Sequence, residues 1–154
     1  MKTMHLNRLL SLVLCLCMMV GMIPVTAHAA PADETIHMTV TKYGEEGEIT
    51  QFENTDSIVV SMTLTEVQDG NVGSDLYFKT SDGEYKLLSV LNSNHDLSAH
   101  TKTFTLVGGV CYEGSGHDLI MVSPGEYHFA LKRKSPDQTY IDSDTEYTVT
   151  GDES

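Results

Sequence analysis

Residues 58–65 read Ile-Val-Val-Ser-Met-Thr-Leu-Thr, so large apolar side chains alternate with other, mostly small polar ones. The apolar positions on one side are Ile58, Val60, Met62 and Leu64. A period of two is the spacing of one face of a β-strand, whereas a helix repeats every three to four residues. The segment therefore predicts a half-buried strand of an antiparallel sheet, with one face on the core and one in solvent.

The same alternation recurs on both sides of this segment. Ile36, Met38 and Val40 share one face of a first strand, and the runs 76–79 and 85–90 flank Ser81-Asp82-Gly83, whose Asp-Gly pair is typical of a tight hairpin. Further strands are predicted at 103–107, 119–122, 126–132 and 146–150, surface loops at 92–100 and 112–118, and a turn-rich run at 68–74. Because no helical pattern is long enough to cross over, the chain is predicted to be all-β, an antiparallel β-sandwich of about seven to nine strands.

The first 29 residues have the pattern of a secretory signal peptide. Lys2 and Arg8 precede an apolar run, 9–23, and small residues end at Ala29, after which we place cleavage. That run of about 15 residues is shorter than the roughly 20 that span a bilayer as a helix. An uncleaved anchor is the alternative. We divide the rest into a flexible leader, 30–35, the sandwich domain, 36–150, and a disordered tail, 151–154.

The net charge of the chain argues against two classes of partner, nucleic acid and anionic membranes. The sequence has 22 acidic and 9 basic side chains, a net charge of -13 at pH 7. Loss of residues 1–29 removes Lys2 and Arg8 but no acid, which makes the net charge -15. Such a body repels nucleic acid and anionic lipid, so we expect neither nucleic acid nor, after signal cleavage, a membrane as a partner.

Cysteine number also bears on the exported chain. Cys15 and Cys17 leave with the predicted signal peptide, and Cys111 then remains without a partner for an internal disulfide. A thiol of this kind can pair between chains or act as a nucleophile. The alternative is a small buried apolar residue.

Both ends of the mature sequence resemble the pilin isopeptide-linkage domain of Gram-positive major pilins. Residues 38–42, Met-Thr-Val-Thr-Lys, resemble that domain's opening strand. Residues 123–132, Ser-Pro-Gly-Glu-Tyr-His-Phe-Ala-Leu-Lys, together with Thr-Tyr-Ile-Asp at 139–142 and Glu-Tyr-Thr-Val-Thr at 146–150, are similar to its closing half. The resemblance implies that the β-sandwich is immunoglobulin-like. It also implies a secreted or cell-surface structural or adhesive module that acts through protein assembly or attachment rather than catalysis.

The resemblance also implies an internal isopeptide bond between a lysine on the first strand and an asparagine on the last, assisted by a buried acid. Lys42 takes the lysine position, where apolar surroundings would favour the neutral, nucleophilic amine. The alternative is a strand-end lysine whose ammonium reaches water. Arg133 occupies the acid position by strand parity, which argues against the bond.

The strand that carries the asparagine in the family has no counterpart before Ser154. We therefore expect an open sheet edge that can accept a strand from another surface or pilus protein. The alternative is that a segment around 49–52 closes this edge.

Two polar clusters contain residue types suited to calcium binding and to hydrolysis, respectively. Asp142, Asp144 and Glu146 place carboxylates at alternate positions, which is compatible with a calcium loop; the alternative is a solvated acidic turn, and no other cofactor or metal is expected. Ser115-Gly116-His117-Asp118 brings hydrolase residue types side by side but lacks the Gly-x-Ser-x-Gly elbow, so we interpret it as a polar loop.

The alternative function is a free secreted module that binds glycan or host protein through the loops 92–100 and 112–118. A hydrolase that uses Cys111 or Ser115 with His117 is a third, less supported function.

Overall fold

The computed structural model describes residues 34–153, which belong to one compact unit. The predicted signal peptide lies outside the described residues. The described chain contains thirteen strands and one short helix. These are β1 Thr35–Ile36, β2 Met38–Lys42, β3 Gln51–Glu53, β4 Ile58–Thr63, α1 Glu66–Asn71, β5 Val72–Lys79, β6 Tyr85–Leu87, β7 Asn92–Asp96, β8 Thr101–Leu106, β9 Cys111–Glu113, β10 Leu119–Met121, β11 Gly125–Arg133, β12 Tyr140–Ser143 and β13 Tyr147–Thr150.

The larger sheet, called sheet I, is built around the long strand β11. β12 and β13 follow one another along β11 and pair antiparallel with its second and first parts, respectively. β5 also pairs antiparallel with β11, and β6 pairs with β5. β1 pairs parallel with β12 and β3 pairs parallel with β13, so sheet I is mixed rather than purely antiparallel.

The smaller sheet, called sheet II, is antiparallel throughout, in the order β2-β4-β8-β7. The predicted all-β sandwich is confirmed, because one apolar core contains buried side chains of both sheets. The core includes Ile36, Met38, Val40, Ile58, Val60, Met62 and Leu64, as their alternation predicts, together with Leu76, Phe78, Phe129 and Leu131 from sheet I. This burial of two inner faces is the main favourable contribution to folding.

The first predicted strand is divided between the two sheets. β1 belongs to sheet I and β2 to sheet II, with His37 between them. β1 begins at Thr35, the last residue of the predicted leader. The predicted hairpin is confirmed, since β5 and β6 pair antiparallel around a turn in which Gly83 has a φ of +83°. A positive φ is a conformation that glycine adopts without steric cost.

Three segment predictions were wrong in part or in whole. The predicted loop 92–100 contains the strand β7, and the first residues of 112–118 belong to β9. Apolar alternation does not predict β7, because its side chains are exposed on both faces. The strand is held by backbone pairing with β8. The turn-rich run 68–74 includes most of α1, whose capping box joins Thr65 and Gln68.

The number of strands exceeds the predicted seven to nine because several have only two or three residues. A strand of that length is too short to show a hydrophobic period. Among the described residues, no helix is long and apolar enough to cross a membrane.

Of the two alternatives for the edge beyond β13, the structure supports the closed one. β3 pairs parallel with β13, with Gln51 opposite Thr148 and Glu53 opposite Thr150. The edge expected to accept a foreign strand is therefore occupied by a segment of this chain.

Candidate functional site

The outward face of sheet II carries hydroxyl side chains on three adjacent strands. This surface, called the hydroxyl face, comprises Thr39, Thr41, Val59, Ser61, Thr63, Thr101, Thr103, Thr105, Asn92, Asn94 and Asp96. The register aligns them in rows across the sheet, and one row runs from Thr39 through Ser61 and Thr103 to Asn94. The inward neighbours are mostly apolar and buried, so alternation along each strand separates a core face from a face of small polar groups.

Charge is nearly absent from the hydroxyl face, although 20% of the chain is Asp, Glu, Lys or Arg. Asp96, at one corner, is its only ionised side chain, and it accepts hydrogen bonds from Ser98. Five of the hydroxyl side chains make no side-chain hydrogen bond to any described residue: Thr41, Ser61, Thr63, Thr103 and Thr105. Their donors and acceptors therefore remain available to solvent or to a ligand.

One end of the hydroxyl face contains a shallow depression of about 160 Å³, lined by His37, Thr39, Ser61, Met62, Thr63 and Thr101. His37 stands at its rim, where Nδ1 lies 2.8 Å from Oδ2 of Asp144. The hydrogen bond to Asp144 raises the pKa of His37 above its ordinary value. The depression thus combines neutral hydroxyl groups with a titratable ring at its rim.

The outward face of sheet I is chemically different. This surface, called the tyrosine face, contains Tyr77, Lys79, Tyr85, Lys132, Tyr140 and Asp142. The rings of Tyr85 and Tyr140 are stacked with centroids 3.7 Å apart, and Tyr77 meets Tyr140 edge-on at 5.1 Å. Lys79 lies over Tyr85 and Lys132 over Tyr140, so cations flank the stack.

Asp142 completes the tyrosine face, where both of its carboxylate oxygens accept hydrogen bonds. Its Oδ1 accepts a hydrogen bond of 2.6 Å from the Tyr85 hydroxyl, and its Oδ2 one of 3.0 Å from Lys79 Nζ. Burial, then the hydrogen bond to Asp142, raise the pKa of Tyr85 well above its ordinary value. These contacts satisfy the Asp142 carboxylate, the Tyr85 hydroxyl and the Lys79 ammonium within the molecule.

The structure does not bring the predicted calcium ligands together. Asp142 is bonded on the tyrosine face, Asp144 pairs with His37, and Glu146 Oε2 lies 3.5 Å from His128 Nε2. Burial acts to raise the pKa of Asp144, but its bond to His37 holds that pKa below the ordinary value. Among the described residues, no group of three His, Cys, Asp or Glu side chains is placed to hold a metal ion. Calcium binding stays a prediction that this arrangement does not support.

The surroundings of Lys42 and Arg133 differ from the apolar, acid-assisted site that an isopeptide bond needs. Lys42 Nζ forms an ion pair with Asp56 at 3.2 Å, and 40% of the lysine side chain is exposed. Arg133 Nη2 lies 2.5 Å from Glu34 Oε2. The register of β11 against β5 shifts between Leu131 and Arg133, so strand parity does not carry through to the arginine. The geometry therefore favours the strand-end alternative for Lys42.

The sequence reasoning missed a different lysine, Lys102 on β8. It points inward and only 5% of it is exposed, with Nζ donating a 2.5 Å hydrogen bond to the Gly73 carbonyl. Burial lowers its pKa. The signal was present, since Lys102 occupies the same strand parity as Phe104 and Leu106.

Near this end of β8, Asp69 of α1 contacts two histidines. His95 Nε2 lies 2.7 Å from Oδ1 of Asp69, and His100 Nδ1 lies 3.2 Å from its Oδ2. The bond to His100 lowers the pKa of Asp69. The three side chains fasten α1 to the β7–β8 hairpin.

The residues considered for hydrolysis do not form a catalytic arrangement. Cys111 is a half-buried free cysteine on β9. Ser115, His117 and Asp118 are exposed in the turn that follows, and His117 Nδ1 contacts Glu113 rather than Ser115 or Asp118.

Sequence alternation alone could have located the hydroxyl face, because Thr101, Thr103 and Thr105 recur with a period of two. It could not have shown that β7 extends this face, or that Asp142 is bonded to Lys79 and Tyr85 on the tyrosine face. No family model and no curated protein matches the chain.

Proposed function

We propose that this protein is an exported attachment module, similar in architecture to a Gram-positive pilin subunit domain, that binds a neutral, hydroxyl-rich ligand such as a glycan through the hydroxyl face. It acts by binding and not by catalysis. The predicted signal peptide supports export, and the resemblance of the first and last strands supports the pilin-like role.

The observation that carries the proposal is the contrast between the charge of the chain and the neutrality of this one surface. The chain without residues 1–29 has a net charge of -15, which opposes the binding of anionic ligands. The hydroxyl face offers donors and acceptors without charge, and hydroxyl groups bond both ways. A neutral polyol matches this surface, because it neither suffers repulsion nor needs a counter-ion.

The surface is also rigid enough to recognise a ligand. Three of its four strands, β2, β4 and β8, have buried residues on the opposite face, so their backbones are fixed by the core. Groups held on regular strands lose little freedom on binding.

The test measures binding of the mature protein to dextran, to an N-acetylglucosamine oligomer and to hyaluronate, by isothermal calorimetry. We expect binding to a neutral carbohydrate and none to the anionic hyaluronate. Thr103→Val should weaken the neutral ligand about fivefold, the value of one net hydrogen bond of roughly 1 kcal/mol. Valine keeps the β-branched shape, so the strand should not be disturbed.

Thr50→Val is the matched control, since Thr50 is an exposed threonine outside the hydroxyl face. It should leave the affinity unchanged. Equal loss in Thr50→Val and Thr103→Val, or binding to hyaluronate alone, would contradict the proposal.

A further inference from the structure

The strand β7 has one unpaired edge. It forms the end of sheet II, where five consecutive residues pair with β8 and no described strand pairs with the opposite side. Two large apolar side chains flank the strand, Leu91 before it and Leu97 after it, and they are 76% and 73% exposed. An exposed edge with apolar residues at both ends is a surface for pairing with another strand.

At the other edge of sheet II, backbone carbonyls of β2 are hydrogen-bonded to other parts of the chain, in contrast to the unpaired edge of β7. The carbonyl of Val40 on β2 accepts a 2.8 Å hydrogen bond from the Ile49 amide, and the carbonyl of Met38 accepts one of 2.7 Å from the Tyr147 hydroxyl. β7 has no such cover among the described residues, and it contains neither the lysine nor the proline that commonly protects an edge strand.

The order of residues along β7 suits pairing with a second copy of itself. If two such strands run antiparallel with Asn94 opposite Asn94, then Ser93 faces His95 and Asn92 faces Asp96 of the other copy. The same register places Leu91 opposite Leu97 at both ends. Each flanking leucine then gains an apolar partner, and no like charges stand opposite one another.

We propose that two copies of this chain associate through β7, antiparallel and with Asn94 on the two-fold axis, to join their sheets II into one continuous eight-stranded sheet. This interface is isologous, since the same strand serves both copies. The hydroxyl faces become continuous across it, because Asn92, Asn94 and Asp96 belong to that face. The inference does not depend on the ligand proposed above.

Charge governs the conditions under which the pair should form. Each copy carries a net negative charge, so long-range repulsion opposes association and salt screens it. Self-association should therefore strengthen between 20 mM and 300 mM sodium chloride, the reverse of an interface held by ion pairs.

Sedimentation equilibrium of the mature protein tests the proposal with a matched pair of variants. Asn94→Lys sets two lysines opposite each other on the axis and should weaken self-association about fivefold or more. Asn92→Lys adds the same charge to the same strand face but places the lysine opposite Asp96, so the dimer should be kept or strengthened. Both side chains are exposed, so neither change disturbs the core.

A cysteine experiment fixes the register. In a Cys111→Ser background, Asn94→Cys should form a disulfide-linked dimer on mild oxidation, because directly opposed Cα atoms lie within disulfide range. Asn92→Cys should not, since four residues along the strand separate the two copies of this position by roughly 13 Å. A monomer at every concentration and salt, equal weakening by both lysine variants, or equal crosslinking at both positions would overturn the proposal.

Discussion

The two outward faces of the sandwich differ in how far their polar side chains are hydrogen-bonded to the rest of the chain. On the tyrosine face, Tyr85 and Lys79 both bond to Asp142, and rings and cations cover one another. On the hydroxyl face, five hydroxyl side chains, such as those of Thr103 and Thr105, make no hydrogen bond to any described residue. The same alternation of inward and outward residues builds both faces. Only the outward residue types differ, and they decide whether a face stabilises the fold or remains available for binding.

The physical reason is reach. A tyrosine or lysine spans the distance between strands, so side chains from β5, β6 and β12 meet above the small residue Ala130. The threonine hydroxyls of the hydroxyl face bond to backbone, as Thr39 Oγ1 does to the Ser61 carbonyl, or make no bond to a described residue. We therefore expect substitutions on the tyrosine face to change stability, and those on the hydroxyl face to change binding.

The largest expected effect is that of Tyr140→Ala. This change removes the stack on Tyr85 and the edge contact to Tyr77, and it should lower the free energy of unfolding by about 2 kcal/mol, below the range for a fully buried aromatic because Tyr140 is partly exposed. Thr103→Val should change it by less than about 0.5 kcal/mol. Urea unfolding followed by circular dichroism measures both, and similar losses in the two variants would remove the distinction between the faces.

The sequence predicts part of this contrast and conceals the rest. Inward positions such as Val60 and Phe104 follow from alternation, because burial acts on each strand locally. The tyrosine face depends on pairs far apart in the chain, since Lys79 and Tyr85 lie 63 and 57 residues from Asp142. Such partners are set by strand order, which no local pattern contains.

The dependence on strand order also explains why the sequence predicts a calcium loop in the acidic segment, residues 142–146, that the structure does not support. Asp142, Asp144 and Glu146 share one strand parity, so their spacing alone predicts convergence on an ion. The structure gives each carboxylate a separate partner from another strand or loop. β7 was missed for a related reason, because an exposed edge strand is held by backbone hydrogen bonds that leave no apolar signal.

Alkaline pH should act mainly through tyrosines, which the hydroxyl face lacks. Burial raises the pKa of Tyr147 to about 12, and burial with the Asp142 bond raises that of Tyr85. Above pH 10 the unfolded chain loses these protons while the folded chain keeps them, so stability is full below pH 10 and falls as pH rises towards 12. The fall is at most about 1.4 kcal/mol per pH unit for each tyrosine, and smaller for Tyr85 because solvent screens it.

Tyr85→Phe isolates the share of the tyrosine face in this fall. Because phenylalanine lacks the hydroxyl that bonds to Asp142, the variant should be less stable than the parent protein at pH 8. Its free energy of unfolding should, however, decline less steeply between pH 10 and 11.5. Urea midpoints at four pH values measure the slope. An unchanged slope would mean that Tyr147 and the other tyrosines account for the whole effect.

The smallest expected effect concerns Lys132, whose Nζ lies 5.6 Å from the centre of the Tyr140 ring. Lys132→Gln should lower the free energy of unfolding by about 0.5 kcal/mol, the usual size of an exposed cation–π contact. In a Tyr140→Ala background the same change should have no effect, because the ring that attracts the ammonium is gone. A double-mutant cycle from urea unfolding gives the coupling directly. If Lys132→Gln lowers stability equally in both backgrounds, the lysine acts through its aliphatic chain, and the tyrosine face is held together by ring stacking and the Asp142 bonds alone.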